Sequence, residues 1–426
     1  MRVLAVLASL LSSIALARTL GPETYGTYAF VLSVIALLAL PVQMGLPTLI
    51  TRETASAVTL HDWGLLRGIW SWSARLILIS GAVIVAVVVV GLMAFPNIMS
   101  LERYQAALWG IWLVPLLALA AAREAALRGL KAVFLSGLPD QILRPLCLAA
   151  LVVVAGLLAT GPLSARCVMQ LSLVSAILAF LLGVVLLLRK RPVEMSNSGR
   201  VVTKQAQWLR AIIPLSLIVG LQMIRENTDI LMLGFWYEDS DVGLYRIALS
   251  IRTLVVFGLV ALYLGAQPYI VSAFTAGDRS KLQKIVRAVA TLSFLSSLAV
   301  ASVIWVEGEF VIRLLFGDAY EGAYTPLVIL AAGSVLHALF GLGGGVLTMT
   351  GHEKYVLWAS VISVALNVIG NALLIPHYGT VGAAIATASS LAVGEVIKYF
   401  MARRCLGVDG SAFAWFSAEY TGESRR

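Results

Sequence analysis

Residues 214–236 read PLSLIVGLQMIRENTDILMLGFW, a stretch that is long and apolar enough to cross a bilayer as one helix. Four polar residues lie near its middle: Gln222, Arg225, Glu226 and Asp229. Their i, i+3, i+4, i+7 spacing places them on one face of a helix, which we call the polar stripe. Ionisable residues in membrane segments usually face a cavity or a partner. The stretch therefore predicts a membrane protein with a functional polar surface; mutual neutralisation of Arg225 by its acidic neighbours is the purely structural alternative.

The composition agrees with a polytopic membrane protein. Hydrophobic residues make up 60% of the 426 residues and charged residues only 12%, whereas about a quarter of the residues in globular proteins are charged. The three cysteines form no CxxC pair and the four histidines have no ligand spacing, so we predict neither a metal site nor a cofactor. No GxxxxGK[ST] nucleotide-binding loop is present.

Apolar runs of about 20 residues mark the expected membrane helices. We place twelve of them near 3–17, 26–50, 72–94, 105–122, 141–159, 166–188, 209–235, 243–270, 286–306, 324–349, 355–375 and 381–402. The first run ends in Ala15-Leu16-Ala17, which also fits a signal-peptide cleavage site. We expect a retained helix, because the repeat described below pairs this run with the seventh.

The distribution of Lys and Arg sets the expected orientation. The even connections and the C-terminal tail carry 22 of these residues, and the odd connections carry 4. By the positive-inside rule, both termini are expected to be cytoplasmic. The net charge of +9 is therefore mostly a topology signal, with anionic lipid headgroups as partners and no nucleic acid.

The longest polar interruption, 189–207, divides the expected helices into two sets of six. It contains RKRPVEMSNSGR and is interpreted as a basic cytoplasmic linker between a lobe at 1–188 and a lobe at 208–402, with a cytoplasmic tail at 403–426. A shift of 217 residues aligns GTYAFVLSVIALL at 26–38 with GLYRIALSIRTLV at 243–255. Each half starts inside and has an even number of helices, so the repeats are parallel and a pseudo-two-fold axis along the membrane normal relates them.

Arginines outside the polar stripe are further candidates. Arg246 and Arg252 lie about 240° apart around one helix, so both cannot face the same cavity, and Arg252 is the deeper of the two. Arg52, beside Glu53 at the expected cytoplasmic end of the second helix, is suited to a phosphate but equally to anchoring the helix end. Asp239-Ser240-Asp241 matches the DxD pattern of metal-dependent sugar transferases, but we interpret it as a turn in a short external loop.

Several polar groups and glycines favour helix packing over substrate binding. Asn367 and Asn371 are expected to bond across helices, and Glu395 and Lys398, spaced i, i+3, to neutralise each other. Four glycines within 341–345 allow either close backbone approach or local unwinding. Pro41, Gly45 and Pro47 around Gln43 predict a bend in the second helix.

Four segments carry a resemblance to a known family. They are LARTLGPETYGTYAFVLSVIALLALPVQMGLPTLITRETA at 16–55, NTDILMLGFWYEDSDVGLYRIALSI at 227–251, GDAYEGAYTPLVIL at 317–330 and GHEKYVLWASVISVALNVIGNALLIPHYGTVGAAIATASS at 351–390. In content, order and spacing they resemble bacterial polysaccharide-repeat flippases of the Wzx type, in the multidrug/oligosaccharidyl-lipid/polysaccharide exporter superfamily. The first helix is shorter than is usual in that family.

The resemblance implies two six-helix lobes in a V around a central cavity, in the bacterial inner membrane. It implies translocation of undecaprenyl-diphosphate-linked oligosaccharide to the periplasmic leaflet, coupled to H⁺ or Na⁺. The polymer would be O-antigen, capsule or exopolysaccharide, with a polysaccharide polymerase and a chain-length regulator as further partners. Carried onto this chain, Arg225 and Arg252 would attract the diphosphate, and Glu226 or Asp229 would bind the coupling cation. Gln222 and Arg52 complete the expected substrate contacts.

Two other functions remain as alternatives. A cation-coupled multidrug exporter of the same superfamily would favour an acidic cavity, whereas Arg225 and Arg252 accompany the carboxylates here. A membrane polysaccharide polymerase or glycosyltransferase would be expected to need a large loop with acid and base groups, and no odd connection exceeds about 20 residues. We therefore expect a transporter and not an enzyme.

Overall fold

A computed structural model of the chain describes residues 1–43, 45–95, 99–159, 161–197 and 201–412. These residues are almost entirely helical and contain no strand, so the predicted all-α class is confirmed. The helices are α1 (Arg2–Gln43), α2 (Leu46–Thr59), α3 (Trp63–Ala94), α4 (Leu101–Gly110), α5 (Leu113–Gly129), α6 (Val133–Gly137), α7 (Arg144–Leu158), α8 (Ala165–Lys190), α9 (Glu194–Asn197), α10 (Gln205–Trp236), α11 (Asp239–Thr275), α12 (Arg279–Phe316), α13 (Tyr324–Phe340), α14 (Leu342–Met349) and α15 (Glu353–Leu406). A π-helical turn, Leu138–Leu143, joins α6 to α7, and a 3₁₀ turn, Asp318–Ala323, precedes α13.

Ten helical stretches in the described ranges are long and apolar enough to cross a membrane. Two of them, α1 with 42 residues and α15 with 54, are about twice the length that one crossing needs. Each is interrupted by a glycine with positive φ, Gly21 at 74° and Gly379 at 53°, a backbone conformation that glycine adopts without steric cost. If α1 and α15 each provide two crossings, the ten stretches give the predicted twelve.

Contacts within α15 show that its two segments run antiparallel. Asn367 Nδ2 donates to Thr387 Oγ1 at 3.1 Å, and Ser363 Oγ donates to the Ser390 carbonyl at 2.8 Å. Asn371 Nδ2 donates to Asn367 Oδ1 at 3.3 Å. All of these side chains are buried, and a membrane offers no water to satisfy them. The predicted cross-helix role is therefore confirmed for Asn367, whereas the bond of Asn371 to Asn367 lies within one segment.

The predicted bend near Gln43 is a break between two helices. Helix α1 ends at Gln43 and α2 begins at Leu46, with Gly45 at φ 67° between them. Pro47 lies in the first turn of α2, where a missing N–H leaves no helical hydrogen bond unmade. Polar side chains begin several other helices; Asp62, for example, accepts a hydrogen bond from the Leu65 amide at the start of α3.

The chain divides into two compact units, which are described separately. Unit 1 comprises Met1–Gly234 and Glu238–Gly243, and unit 2 comprises Phe235–Tyr237 and Leu244–Arg426. Most of α10 thus packs within unit 1, where the Trp208 indole donates to Glu53 Oε2 at 3.2 Å. The lobe boundary drawn from the repeat stays a prediction. Residues 198–200 of the expected linker and 413–426 of the expected tail lie outside the described residues.

The core of unit 2 includes the residues that follow α15. Val408 packs into a cluster with apolar side chains of α11, α12 and α14. Asp409 exchanges two hydrogen bonds with Gln283 of α12: its amide donates to Gln283 Oε1 at 2.8 Å and its carbonyl accepts from Nε2 at 2.9 Å. The first residues of the expected tail are therefore part of the folded unit.

Candidate functional site

The polar stripe on α10 has an exposed part and a buried part. Gln222 and Glu226 are exposed, and Gln222 Nε2 donates to Glu226 Oε1 at 2.9 Å. Arg225 is partly exposed, whereas Asp229 is 2% exposed and interacts with neighbouring groups in the structure. The i, i+4 spacing therefore brings the amide and one carboxylate together, while Asp229 is covered by the rest of the protein.

Burial gives Asp229 a different chemistry from Glu226. An ionised carboxylate in an apolar interior is costly unless charges or hydrogen bonds compensate it. Asp229 therefore depends on the groups that interact with it in the structure. Glu226, in contrast, is exposed, so water or a bound ligand can solvate its charge.

Arg252 lies on α11 in unit 2, whereas Arg225 lies in unit 1. Arg252 Nε donates to Ser334 Oγ at 3.0 Å, and the Ser334 hydroxyl donates to the Leu330 carbonyl at 2.8 Å. This serine therefore fixes the orientation of the guanidinium against α13. Arg246, six residues earlier, is partly exposed.

Arg52 lies inside a helix and not at its end. Helix α2 continues to Thr59, so the prediction that Arg52 ends a helix is wrong: the apolar run stops at residue 50, but the helical hydrogen bonding continues. Arg52 Nη2 lies 3.2 Å from Glu53 Oε1, and the arginine side chain is 58% exposed. The guanidinium is accessible to an anion, but it already has an acidic neighbour.

A network around Asp239 was missed by the sequence reasoning. Arg103 Nε donates to Asp239 Oδ1 at 2.9 Å, and Thr27 Oγ1 donates to Oδ2 at 2.8 Å. Arg103 Nη1 donates to the Gly234 carbonyl at 2.7 Å, and the guanidinium carbon lies 4.2 Å from the centre of the Phe30 ring. The network joins the start of α4, the second segment of α1 and the junction of α10 with α11. All of its members belong to unit 1.

The same network corrects the interpretation of Asp239-Ser240-Asp241 as a turn. Asp239 and Asp241 occupy the first turn of α11, where acidic side chains complement the helix dipole. The sequence carried one signal of this close packing, a pair of glycines. Gly26 and Gly243, which the repeat aligns, pack against the Asp239 and Pro22 backbones respectively, and any side chain at either glycine would collide with them.

A second missed ion pair lies between α5 and the π-helical turn. Arg123, only 3% exposed, pairs with Asp140, and its Nη1 also donates to the Ala179 carbonyl of α8 at 3.1 Å. Gly183 packs directly against the Arg123 guanidinium, and a Cβ at this position would collide with it. In the sequence Arg123 counted only as part of the cytoplasmic charge, whereas in the structure it is a buried packing element.

The predicted pairing of Glu395 with Lys398 is confirmed, with one addition. Lys398 Nζ donates to Glu395 Oε1 at 2.7 Å, and both residues are buried. His337 of α13 approaches the same carboxylate oxygen, with its Nε2 3.6 Å away. In the described ranges, no group of three His, Cys, Asp or Glu residues could hold a metal ion.

Two family models match the chain. Residues 1–274 match the model described as "Polysaccharide biosynthesis protein", which is more than half of the chain, and residues 214–373 match the MatE model. The chain belongs to the polysaccharide biosynthesis protein family. The resemblance to Wzx-type flippases is confirmed at the level of the family.

Curated relatives of this polysaccharide biosynthesis protein come from Haloferax volcanii. The probable low-salt glycan biosynthesis flippase Agl15 is 28% identical over 169 residues, and the probable flippase AglR is 31% identical over 182 residues. Each alignment covers 40% of this chain and 36% of the relative. The chain therefore spans little more than a third of the length of these relatives.

Solved structures share the fold over nearly the whole chain. An inward-facing multidrug resistance MATE family transporter of the MOP superfamily matches with a TM-score of 0.78 at 16% identity, covering 97% of this chain and 96% of the other. The lipid II flippase MurJ in an inward closed conformation matches with a TM-score of 0.69 at 12% identity, covering 94% and 86%. The fold is therefore that of MOP superfamily transporters and flippases.

Proposed function

We propose that this protein is a flippase for a polyprenyl-diphosphate-linked oligosaccharide, of the undecaprenyl-diphosphate type. It would move the lipid-linked sugar from the cytoplasmic to the opposite leaflet by alternating access. Membership of the polysaccharide biosynthesis family and the flippase names of the Haloferax relatives support this proposal. The product would feed a surface polysaccharide such as O-antigen, capsule or exopolysaccharide.

The observation that carries the proposal is the accessible polar stripe within an apolar helix. Gln222 and Glu226 are exposed and Arg225 is partly exposed, although α10 is long and apolar enough to span a membrane. Lipid tails cannot solvate these groups, so the face requires water or a polar substrate. A diphosphate fits the arginine best, because the planar guanidinium donates two parallel hydrogen bonds to phosphate oxygens.

Substrate contacts are assigned by charge and position. Arg225 and Arg252 would hold the diphosphate, Gln222 a sugar hydroxyl or phosphate oxygen, and Arg52 an entering phosphate on the cytoplasmic side. Asp229 or Glu226 would take up and release the coupling cation, H⁺ or Na⁺. Asp229 is the better candidate, since it is the buried carboxylate of the polar stripe.

We place the protein in the bacterial inner (plasma) membrane, and the bias of Lys and Arg supports an orientation with both termini in the cytoplasm. In that orientation Arg52 lies toward the side where lipid-linked sugars are assembled. A polysaccharide polymerase and a chain-length regulator would act on the translocated product.

A multidrug exporter is the second candidate, since a multidrug transporter is among the structures with the same fold. Cationic drugs require an excess of acidic groups at the binding surface. Arg225 and Arg252 oppose that requirement. The two functions therefore differ in the sign of the charge that the substrate must carry.

The test is the pool of lipid-linked oligosaccharide in cells with and without the gene. Leaflet exposure is read with a membrane-impermeant sugar-oxidising reagent. We expect complete units to accumulate on the protected cytoplasmic side without the gene, and to become accessible again when the gene is restored. An unchanged pool with unchanged exposure would contradict the flippase, and efflux of small organic cations would then be measured in the same strains.

A further inference from the structure

Three titratable side chains meet inside unit 2, away from the polar stripe. Glu395 accepts a hydrogen bond from Lys398 Nζ at 2.7 Å, and His337 Nε2 lies 3.6 Å from the same carboxylate oxygen. The Glu395 side chain is only 4% exposed. One carboxylate thus faces two groups that can each carry a positive charge. We call these three residues the proton cluster.

The proton cluster lies at a break between two helices. Helix α13 ends at Phe340 and α14 begins at Leu342, so the break follows His337 by less than one turn. A Cβ at Gly341 would lie 2.7 Å from His337 Cδ2, which places the imidazole directly against the break. Helical hydrogen bonding is interrupted at Gly341, but its φ of −71° and ψ of −9° stay in the right-handed helical region, so local unwinding at the glycines of 341–345 stays a prediction.

The other side of the break is packed against Lys398. A Cβ at Gly344 would lie 2.8 Å from Lys398 Cδ, and one at Gly343 would lie 2.9 Å from the Tyr399 Cα. Close approach, one of the two alternatives predicted for the glycines, is therefore present on α14. The histidine belongs to the segment before the break, and the lysine lies over the segment after it.

Other charged or titratable groups surround the proton cluster. From α11, Arg252 contacts Ser334, one turn before His337, and the Tyr263 hydroxyl donates to the Gly345 carbonyl at 3.4 Å. From α15, Arg403 Nη1 donates to the Tyr399 hydroxyl at 3.5 Å.

We propose that His337, Glu395 and Lys398 form a proton-binding site whose occupancy changes the packing of α13 and α14 against α15. With a neutral imidazole, Glu395 and Lys398 compensate each other and the buried cluster carries no net charge. A proton on His337 adds a second cation that competes with Lys398 for the one carboxylate. Burying an uncompensated charge is expensive, so the lysine or the histidine must shift.

A shift of either side chain would alter the packing at the helix break. A movement of Lys398 changes what Gly344 packs against, and a movement of His337 changes what Gly341 packs against. The N-terminal end of α14 therefore responds to a single proton through both contacts. Imidazole is the side chain whose ordinary charge change falls near physiological pH, so a pH difference across the membrane can drive the cycle. The biological role rests on the proposed transport function, but the proton site itself does not.

The first test needs no substrate. Spin labels on cysteines at Leu336 of α13 and Phe400 of α15, both exposed, report the distance between the two helices in lipid nanodiscs. The natural cysteines at 147, 167 and 405 are replaced by serine in this background. We expect the distance distribution to shift between about pH 8 and about pH 5. The shift should be absent from His337→Gln and retained in the matched control His377→Gln, an exposed histidine of the same unit.

A second variant separates proton binding from folding. Glu395→Gln alone would leave Lys398 buried without its carboxylate and could unfold the unit, so Glu395→Gln is combined with Lys398→Met to remove both charges. This double variant should fold and should lose the pH-dependent shift. A shift that persists in His337→Gln or in the double variant, or a parent protein without any shift, would overturn the proposal.

The transport assay distinguishes the two proposals. The probe is a fluorescent undecaprenyl-diphosphate N-acetylglucosamine in proteoliposomes with an imposed pH difference. One pH unit is a tenfold difference in proton activity, so we expect a difference of one unit to accelerate flipping by up to about tenfold over equal pH on both sides. We expect no acceleration in His337→Gln. A pH-dependent distance without any flipping contradicts only the flippase. Flipping that ignores the pH difference, together with a constant distance, contradicts only the proton site.

Discussion

Arg103 and Asp239 form an ion pair across 136 positions of the chain, with Arg103 Nη2 2.8 Å from Asp239 Oδ1. Their side chains are 16% and 14% exposed, so the pair is largely removed from solvent. The pair connects the first turn of α11 with the start of α4. The Thr27 hydroxyl of α1 donates to the other carboxylate oxygen. Removing one partner of such a pair costs far more than breaking an ion pair on the surface, because it leaves the other charge largely buried and uncompensated.

Asp239→Ala should therefore lower the stability of unit 1. It removes the carboxylate that accepts from Arg103 and Thr27, and it leaves the Arg103 guanidinium with the Gly234 carbonyl and the Phe30 ring. We expect a loss of about 3 kcal/mol in the free energy of unfolding, measured in nanodiscs. The control is Arg313→Ala, which breaks the exposed pair with Glu321 and should change little. Equal losses in the two variants would mean that the Asp239 network is energetically unimportant.

Gly183 is required by the Arg123 guanidinium that packs against it. A Cβ at this position would overlap the guanidinium, which is buried and bound to Asp140 and the Ala179 carbonyl. We expect Gly183→Ala to cost about 3 kcal/mol or more, because either the helices separate or the ion pair breaks. Gly91→Ala is the matched control, since nothing lies within 4 Å of its added Cβ, and it should stabilise α3 by about 0.5 kcal/mol. A neutral Gly183→Ala would contradict the described position of Arg123.

Thr387 holds the two segments of α15 together through Asn367. Thr387→Val keeps the size of the side chain but removes the acceptor of Asn367 Nδ2, which is buried. We expect a loss of about 1 to 2 kcal/mol in thermal unfolding. Ser389→Ala is the control on the same helix, because its exposed hydroxyl bonds to carbonyls of its own segment at Ile385 and Ala386, and it should cost less than about 0.5 kcal/mol. Equal effects would argue against the hairpin contact.

Asp229→Asn should impair transport without unfolding the protein. The amide keeps the size of the carboxylate and one acceptor oxygen but cannot gain or lose a charge, and the site is 2% exposed. We expect the flipping rate to fall about tenfold, equivalent to about 1.4 kcal/mol, while the unfolding temperature stays close to that of the parent. Glu226→Gln, at the exposed carboxylate of the same stripe, is the comparison. A normal rate for Asp229→Asn from acidic to alkaline pH would remove Asp229 from the coupling mechanism.

Local features of the sequence predicted most of the fold. Apolar run length identifies membrane helices because the bilayer imposes one thickness on every crossing. The break near Gln43 and the pairing of Glu395 with Lys398 were also predictable, since backbone preference and i, i+3 spacing act within a few residues. Asn367 was predicted to bond across helices because a membrane leaves a buried amide no water.

Long-range partners could not be predicted in this way. The contacts of Arg103 with Asp239 and of His337 with Glu395 depend on which helices pack together and at what height, and no local pattern encodes this. The polar stripe shows the same limit. Its spacing places four residues on one face, but the coverage of that face by neighbouring helices decides that Asp229 is buried and Glu226 is exposed.

Arg225 and Arg246 provide the sharpest test of where the substrate binds. Both are partly exposed arginines of membrane-spanning helices, α10 and α11, so the same substitution removes the same charge from each. Arg225 lies in the polar stripe beside Gln222 and Glu226, and a charge-assisted bond to a diphosphate contributes about 1.5 to 3 kcal/mol. We therefore expect Arg225→Ala to raise the KM for the fluorescent undecaprenyl-diphosphate probe by roughly tenfold or more, with a much smaller change for Arg246→Ala. Equal increases in KM would show that the diphosphate does not bind at the polar stripe. A defect confined to Arg225→Ala, and smaller in Arg225→Lys, would identify a phosphate contact.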